Sequence, residues 1–276
     1  MSRPQDAIDA AALQCALQPR LSRPLQVLHL AETASTNREC QQRLEQDGGG
    51  ERLWVICADR QTAGRGRRGR VWHSRRDDNL YCSIGLVRQL PAQTLGLLPL
   101  LTGVVLAERL RALGFDRLGL KWPNDLLADG RKLGGILIEN RPLGGDRHAL
   151  TIGFGINLRL DEQDHECIGQ PAGCLSDLGI APPRHQLLNE LLKHLLPELA
   201  GFGAGHSDAL LRRFAALDVH AGRTVRLVDG ERQWRGRCLG VDEQGRLRVE
   251  IDGRERCFSA AEISLRGADG GGHAAA

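Results

Sequence analysis

The stretch 64–71, GRGRRGRV, constrains this chain more than any other segment. It places four arginines and three glycines in eight positions and is nearly free of apolar side chains. The segments on either side, 52–61 (RLWVICADRQ) and 79–87 (NLYCSIGLV), have the composition of buried strands. The sequence therefore predicts a flexible, cationic loop that joins two core strands.

The rest of the chain alternates helical and strand patterns, which is typical of an α+β fold. Helices are predicted at 6–18, 37–46, 94–113, about 184–200 and about 206–216. Further strands are predicted at 25–33, on either side of a hairpin turn at Asp129 and Gly130 within 117–140, and at 148–160. From Asp218 onward, short alternating strands are separated by glycine turns every eight to ten residues. This spacing predicts a small antiparallel barrel of SH3-like size.

These patterns divide the chain into four parts. An N-terminal helical segment (1–24) precedes a large mixed-sheet domain (25–217). The barrel (218–267) follows, and a low-complexity, disordered tail (268–276) ends the chain.

Composition excludes several classes of protein. The net charge of +3 is far from that of a general DNA-coating protein, and the basic residues concentrate at 60–76, which indicates a local site. The 8 cysteines contain no C-x-x-C pair, so they indicate free thiols in a reducing cytoplasm and no zinc site. We found no signal peptide and no apolar run long enough to span a bilayer, so the prediction is a soluble, cytoplasmic protein without a membrane partner.

The arginine–glycine loop has three competing interpretations. It matches the dinucleotide fingerprint G-x-G-x-x-G, but the following VWHSRRDDN lacks the helical spacing that a pyrophosphate-binding helix needs. It matches the kinase glycine-rich loop, but no V-A-I-K, H-R-D or D-F-G motif follows. A nucleic-acid site would need stacking aromatic residues or a groove-binding helix, and only 4% of the residues are aromatic.

Four further motifs favour a small-molecule pocket. They are STN (35–37), KWPNDLL (121–127), RKLGGILIE (131–139) and GFGIN (153–157). Glycine inside a strand is costly unless something must approach the backbone closely. Together with the loop, the motifs describe a pocket rich in arginine, lysine and glycine.

In this order, STN, RQTAGRGRRGRVW, KWPNDLL, RKLGGILIE and GFGIN resemble the motif set of the biotin protein ligases, over residues 25 to about 266. The resemblance implies an α+β fold, in which a mixed-sheet catalytic domain like that of the biotin and lipoate ligases precedes a small SH3-like barrel. Lipoate ligases share the fold but lack this arginine loop. Because the first motif begins at Ser35, no room is left for an N-terminal DNA-binding domain, so the resemblance implies a monofunctional ligase without operator DNA as a partner.

The implied reaction has two steps and uses ATP, biotin and Mg²⁺. The biotin carboxylate attacks the α-phosphate of ATP, which gives biotinyl-5'-AMP and pyrophosphate. A lysine of a biotin carboxyl carrier protein, part of an acyl-CoA carboxylase, then takes the biotinyl group. The first step brings two anions together, so fixed positive charge and magnesium must offset their repulsion. No residue is assigned as a metal ligand.

The resemblance assigns roles within the loop. Arg65 and the catalytic Arg67 would clamp the biotin carboxylate and the α-phosphate, and Arg70 would meet the leaving pyrophosphate. Gly64 and the other loop glycines would let the loop close over the intermediate. Trp72 would cover the adenine; the alternative is an ordinary core aromatic residue.

Two further catalytic residues come from the RKLGG and KWPND motifs. Lys132 would stabilise charge on the carbonyl and phosphate oxygens; the alternative is an ordinary surface lysine. Asp125 would orient or deprotonate the incoming lysine; the alternative is an aspartate that caps the turn. Asn124 would bond to the adenine.

The biotin end would be bound by the STN motif and its neighbours. Ser35, Thr36 and Gln61 would read the ureido group, and Asn37 adds an amide to the same site. For Ser35 and Thr36 a helix-capping role is the alternative and can coexist with ligand contact. Gly135 and Gly153 complete the set of binding residues, since they would present backbone to the ligand.

Three matters stay open in the sequence. The competing functions are a related acyl ligase that charges lipoate or another short acid, and a non-catalytic adenylate- or RNA-binding module. Pure binding, however, would not need both Lys132 and Asp125. The resemblance is compatible with a homodimer but does not fix the oligomeric state. The role of the barrel, carrier docking or closure over the nucleotide, is also open.

Overall fold

The computed structural model describes residues 7–48, 50, 52–74, 77–168, 171–203, 205–229, 231–260 and 264–267. Within these ranges the α-helices are α1 (Ala10–Leu17), α2 (Thr36–Gln46), α3 (Leu98–Ala112), α4 (Glu162–Ile168), α5 (Arg184–Gly201) and α6 (Ser207–Ala215). The strands are β1 (Leu25–Thr33), β2 (Leu53–Gln61), β3 (Leu80–Gln89), β4 (Leu118–Lys121), β5 (Asp125–Ala128), β6 (Arg131–Gly144), β7 (Arg147–Ile156), β8 (Thr224–Asp229), β9 (Arg232–Val241), β10 (Leu247–Ile251), β11 (Arg254–Phe258) and β12 (Ser264–Gly267). The predicted tail, 268–276, lies outside the described residues.

The first seven strands form one mixed sheet in the order β1-β2-β3-β7-β6-β5-β4. The β1–β2 pair is parallel because α2 carries the chain back across the sheet between them, and the other pairs are antiparallel. This arrangement confirms the mixed-sheet α+β class that the sequence predicts. No helix among the described residues is both long enough and apolar enough to cross a membrane.

The two faces of the sheet differ, as β7 shows. Ile152, Phe154 and Ile156 belong to the main hydrophobic core. The alternate residues Gly153 and Gly155 face the other way, since successive side chains of a strand point to opposite faces. The second face is therefore lined by small residues at its centre, where Asn37 of α2 and Trp72 of the arginine loop lie against it.

The core face is covered by α3, whose residues are buried on nearly all sides. A helix that is apolar all round is a buried helix. The prediction for this segment was wrong at its start, because Ala92–Leu97 forms a 3₁₀-helix and the α-helix begins only at Leu98. Pro99 thus falls in the first turn, where proline has no hydrogen bond to lose.

Two other details differ from the sequence prediction. The segment 117–140 holds three strands, because the turn at residues 122–124 joins β4 to β5 before the hairpin at Asp129 and Gly130. The short helix α4 was not predicted, because its seven residues, EQDHECI, lack an apolar repeat.

The last five strands form a separate antiparallel sheet in the order β11-β10-β9-β8-β12. Alternate residues of β8 and β10, such as Val225, Leu227 and Val249, are fully buried and join the main core. The indole Nε1 of Trp122 donates a hydrogen bond to the Gly245 carbonyl, 2.9 Å away, in the β9–β10 turn. The tryptophan of the KWPND motif thus forms a hydrogen bond that connects the small sheet to the large one.

Candidate active site

The predicted site residues meet on the small-residue face of the large sheet. They come from the end of β2, the N-terminus of α2, the arginine loop, the β4–β5 turn with the start of β5, the first residues of β6, and β7. Strand register explains part of this convergence, since Gly153 of β7 pairs with Ser83 of β3 on one side and with Leu137 of β6 on the other.

The arginine loop is a hairpin held together by two backbone hydrogen bonds. The Gly66 amide donates to the Arg70 carbonyl at 2.7 Å, and the Trp72 amide donates to the Gly64 carbonyl at 2.9 Å. A Cβ atom at Gly64 would lie 2.4 Å from the Trp72 carbonyl oxygen, so only glycine fits there. Glycine at this position is required by the hairpin itself, in addition to any motion of the loop.

Arg67 reaches inward from this hairpin. Its Nη1 donates to Asn124 Oδ1 at 3.1 Å, and its Nη2 donates to the Ala260 carbonyl, in the chain just after β11. Burial, with the nearby Arg68 charge as a second cause, lowers the pKa of Arg67 below its ordinary value, and Asp125 opposes the shift. A guanidinium stays protonated in proteins. Arg67 therefore places a half-buried positive charge beside Asn124.

The other two loop arginines with a predicted role, Arg65 and Arg70, are exposed. Their guanidinium groups therefore differ from that of Arg67, which is partly buried against Asn124. The hairpin sets one of these three arginines into the protein and leaves two on its outer surface.

Lys132 and Asp125 form an ion pair, with 2.7 Å between Lys132 Nζ and Asp125 Oδ1. Lys121 Nζ lies 3.9 Å from the other carboxylate oxygen. The side chains of Asp125 and Lys132 are 16% and 24% exposed, so the pair is accessible to a ligand without being a surface ion pair. Lys132 is thus partly buried and ion-paired in this structure, and its catalytic role stays a prediction.

Trp72 lies against glycine positions of two strands. A Cβ atom at Gly155 would be 2.6 Å from Trp72 Cζ2, and one at Gly135 would be 3.1 Å from Cζ3. Lys132 Nζ is 5.6 Å from the centre of the ring, which is a cation–π distance. The indole Nε1 is buried and has no hydrogen-bond partner among the described residues. In this structure, therefore, the Trp72 ring covers the backbone that Gly135 was predicted to offer to a ligand.

Gln61 organises the N-terminus of α2. Its Oε1 accepts a hydrogen bond from the Thr36 amide at 2.9 Å, and its Nε2 donates to Ser74 Oγ at 3.0 Å. Ser35 holds the N-cap position, but its side chain makes no capping hydrogen bond. The cap that the sequence suggested for Ser35 is thus supplied by a side chain from β2, which leaves the serine hydroxyl for another role.

Asn37 is 5% exposed and fills the space above Gly153. A Cβ atom at Gly153 would lie 2.1 Å from Asn37 Oδ1, so a larger residue would displace the amide. Asn37 Nδ2 donates to Glu139 Oε2 at 2.7 Å, and Asn37 Oδ1 lies 2.6 Å from Ser83 Oγ. The glycine at this position makes room for a protein side chain in this structure.

The Asn124 amide is also engaged at both of its ends. Its Nδ2 donates to the Ile136 carbonyl at 2.7 Å, while its Oδ1 accepts from Arg67. The residue predicted to contact adenine holds the β4–β5 turn against β6 in this structure.

Comparison with known proteins agrees with this arrangement. Residues 31–157 match the Biotin/lipoate A/B protein ligase family, and residues 220–266 match the Biotin protein ligase C terminal domain. Over 236 residues, the chain is 38% identical to the bifunctional ligase/repressor BirA of Escherichia coli, a match that covers 85% of this chain and 72% of that protein. This chain belongs to the biotin protein ligase family.

Two further relatives extend the comparison. The biotin–[acetyl-CoA-carboxylase] ligase of Mycobacterium tuberculosis is 32% identical over 241 residues, covering 85% of this chain and 86% of that protein. The biotin protein ligase of Aquifex aeolicus, solved in complex with biotin and ATP, superposes with a TM-score of 0.70 at 29% identity. That match covers 88% of this chain and 99% of the Aquifex chain, so the likeness includes both sheets.

Sequence reasoning about this family member missed four residues at the site. Gly155 and Glu139 lie inside the quoted motifs GFGIN and RKLGGILIE but were given no role. Ser83 is a fully buried serine in an otherwise largely apolar strand, which is a usable signal. Ala260 acts through its backbone carbonyl, and no sequence pattern points to such a contact.

Proposed function

We propose that this chain is an ATP-dependent biotin–protein ligase that activates biotin to biotinyl-5'-AMP and transfers it to a lysine of a biotin carboxyl carrier protein. The observation that carries the proposal is the convergence of Arg67 and the Lys132–Asp125 pair on one face of the sheet, beside the polar N-terminus of α2. Two cations and a set of polar groups within one site suit a carboxylate and a nucleotide phosphate that must react.

In the first step, Arg67 and Lys132 offset the repulsion between the biotin carboxylate and the α-phosphate. Arg67 is anchored by Asn124 and Ala260, so its guanidinium is already ordered before a ligand binds. Preorganised charge costs little reorganisation when the reaction occurs. Arg65 and Arg70, which are exposed on the hairpin, can add contacts to the carboxylate and the pyrophosphate as the loop closes.

In the second step, the acceptor lysine must lose its proton before it attacks the anhydride. Asp125 is the proposed proton acceptor, and it also forms an ion pair with Lys132. Lys132 in turn is proposed to meet the carbonyl and phosphate oxygens of the intermediate. Because two ammonium groups lie within 3.9 Å of this carboxylate, orienting Lys132 is its first task in the unliganded enzyme.

Ser35, Thr36, Asn37 and Gln61 are proposed to line the end that receives the biotin ring system, with Gly153 below them. Trp72 is proposed to cover the adenine. Because its indole covers Gly135 in this structure, we propose that the ring moves when the adenylate forms.

Mg²⁺ is proposed to arrive with ATP and to be held mainly by phosphate oxygens. The described residues contain no group of three or more His, Cys, Asp or Glu side chains that could hold a metal ion by themselves. A magnesium ion that keeps most of its ligands from water and the nucleotide fits such a site. When bound, it would supply further positive charge at the α-phosphate.

The domain division stays a proposal: a catalytic domain over 25–217 and an SH3-like domain over 218–267. It is supported by the two separate sheets. The proposed location is the cytoplasm, since all eight cysteines are free. A homodimer, and the lack of DNA and membrane partners, remain predictions.

The first half-reaction tests the proposal. The purified protein is incubated with ATP, MgCl₂ and biotin, with lipoate in a parallel sample, and bound adenylates are identified by mass spectrometry. We expect biotinyl-5'-AMP and no lipoyl adenylate. Lipoyl adenylate alone would make the protein a lipoate ligase, and neither adenylate from folded protein would favour a binding module.

A further inference from the structure

A line of polar side chains runs below the proposed biotin end of the site. It connects β6 to the N-terminus of α2 through members that are almost completely buried: Ser83 (0% exposed), Thr36 (4%) and Asn37 (5%). Glu139, which is partly buried, stands at one end. Nothing in the two reaction steps so far uses Glu139 or Ser83.

The direction of hydrogen bonding along this line is fixed from the Glu139 end. A carboxylate can only accept hydrogen bonds, so the Asn37 group 2.7 Å from Glu139 Oε2 must be the Nδ2 amide. The Leu137 carbonyl, 3.3 Å from the same nitrogen, favours the same orientation. Asn37 Oδ1 therefore faces Ser83, and the Ser83 hydroxyl donates its single hydrogen to it over 2.6 Å.

This leaves the Ser83 oxygen only as an acceptor toward Thr36. The two hydroxyl oxygens are 2.8 Å apart, so any hydrogen bond between them is donated by Thr36, because the Ser83 hydrogen is already used. The other acceptor near the Thr36 hydroxyl is Gln61 Oε1 at 3.2 Å. With either acceptor, the Thr36 hydrogen is used inside the protein, and a ligand meets the Thr36 oxygen as an acceptor.

We propose that Glu139 is a positioning residue that, through Asn37 and Ser83, fixes the Thr36 hydroxyl as an acceptor for an N–H group of the bound acid. This inference rests on the proposed function, in which the ureido group of biotin supplies that N–H. Glu139 itself does not touch the ligand. Without Glu139, the Asn37 amide could turn over, and the hydrogen bonds from Asn37 to Ser83 and Thr36 could run in either direction. The Glu139 carboxylate selects one of these two directions, as a satisfied buried network does.

The test uses two variants. The first adds a carboxylate at position 37, and the second also replaces the Glu139 carboxylate by an amide, which restores the direction of hydrogen bonding. Asn37→Asp places two carboxylates face to face, so we expect the KM for biotin in adenylate formation to rise about tenfold or more. The double variant Asn37→Asp/Glu139→Gln restores one amide donor and one carboxylate acceptor in swapped positions. Ser83 then donates to the carboxylate at position 37 as it does to the Asn37 amide oxygen in the wild type.

We expect the KM for biotin of this double variant to return to within about threefold of wild type. Recovery should be incomplete, because the Leu137 carbonyl loses the donor that Asn37 Nδ2 gives it. The KM for ATP should stay within about twofold of wild type in both variants, since Glu139 acts only at the biotin end. Glu45→Gln, which changes an exposed carboxylate on the same helix as Asn37, is the matched control and should leave both KM values unchanged. Thermal unfolding of each variant is measured alongside.

Three results would overturn the inference. They are an unchanged KM for biotin in Asn37→Asp, a double variant no better than the single one, and equal increases in the KM values for biotin and ATP. Each would appear in a protein whose wild type still forms biotinyl-5'-AMP, so the proposed function would stand. If wild type formed no biotinyl-5'-AMP, the proposed function would fail and this inference with it.

Discussion

Arg67 has the most constrained position of the loop arginines that carry a predicted role, since its guanidinium meets the Asn124 amide oxygen and the Ala260 carbonyl at once. Two acceptors on one planar group fix its orientation as well as its place. Lysine would keep the charge but offers no planar fork. The shape of this cation, in addition to its sign, is therefore part of the proposed first step.

Arg67→Lys tests the importance of that shape. We expect the kcat of adenylate formation to fall about 100-fold, the size typical for loss of one preorganised donor at a developing charge. Arg117→Lys is the matched control, because Arg117 is exposed and its ion pair with Asp129, at 2.8 Å, lies at the hairpin between β5 and β6. Activity of Arg67→Lys within twofold of wild type in a steady-state adenylation assay would remove Arg67 from the catalytic set.

Several site elements could be predicted from sequence because their signals are local. The bounds of β1 are those predicted, 25–33, since the apolar alternation gives way to Glu32 and Thr33 just before the STN motif. The strand prediction for β7 also holds in the main, and the close approach that its glycines predict is present. What approaches them in this structure is Asn37 at Gly153 and Trp72 at Gly155.

Other elements could not be predicted, for physical reasons. The apolar repeat runs through both Ala92–Leu97 and Leu98–Ala112, so it does not reveal the change from 3₁₀-helix to α-helix at Leu98. Gly96 is held against the Gln244 carbonyl of the small sheet, where a Cβ atom would be 2.5 Å away. Contacts of this kind join residues far apart in sequence, and no local pattern carries them.

The segment that joins the two sheets contains a partly buried histidine, His220. Burial, followed by the charges of Lys121 and Arg223, lowers the pKa of His220 from 6.5 to about 4. The His220 Nε2 atom is buried without a hydrogen-bond partner among the described residues, which is consistent with a neutral ring. Asp218 accepts a hydrogen bond from the His220 amide; burial raises the pKa of this carboxyl, so its contribution to stability changes with pH in the opposite direction.

The pH dependence of stability follows from the His220 shift. Because the unfolded chain binds a proton at His220 below about pH 6.5 and the folded chain only near pH 4, the contribution is complete above pH 6.5 and is lost as the pH falls toward 4. His220→Gln should reduce the drop in unfolding temperature between pH 7 and pH 5 by about 2–4 °C. This figure is smaller than a fully buried histidine would give, because solvent screens the partly exposed ring. Differential scanning calorimetry at both pH values measures this change, and an unchanged drop would contradict a neutral, partly buried His220 ring.

At the scale of the whole molecule, the two sheets share the site. Trp122 of the KWPND motif holds the β9–β10 turn, and Arg67 of the loop holds the chain after β11. Two of the motifs that identify the family therefore also carry the contact between the sheets. The sequence predicted a barrel after residue 218 but left its role open, because these contacts join residues 123 and 193 positions apart.

The most direct test of the ligase assignment follows both half-reactions to the product. A biotin carboxyl carrier domain is incubated with this protein, biotin, ATP and MgCl₂, and its intact mass is measured, with a carrier whose acceptor lysine is replaced by arginine as control. We predict one added biotinyl group on the carrier, dependent on ATP and absent from the control. A carrier that stays unmodified while the enzyme is folded and holds biotinyl-5'-AMP would contradict the assignment as a biotin–protein ligase.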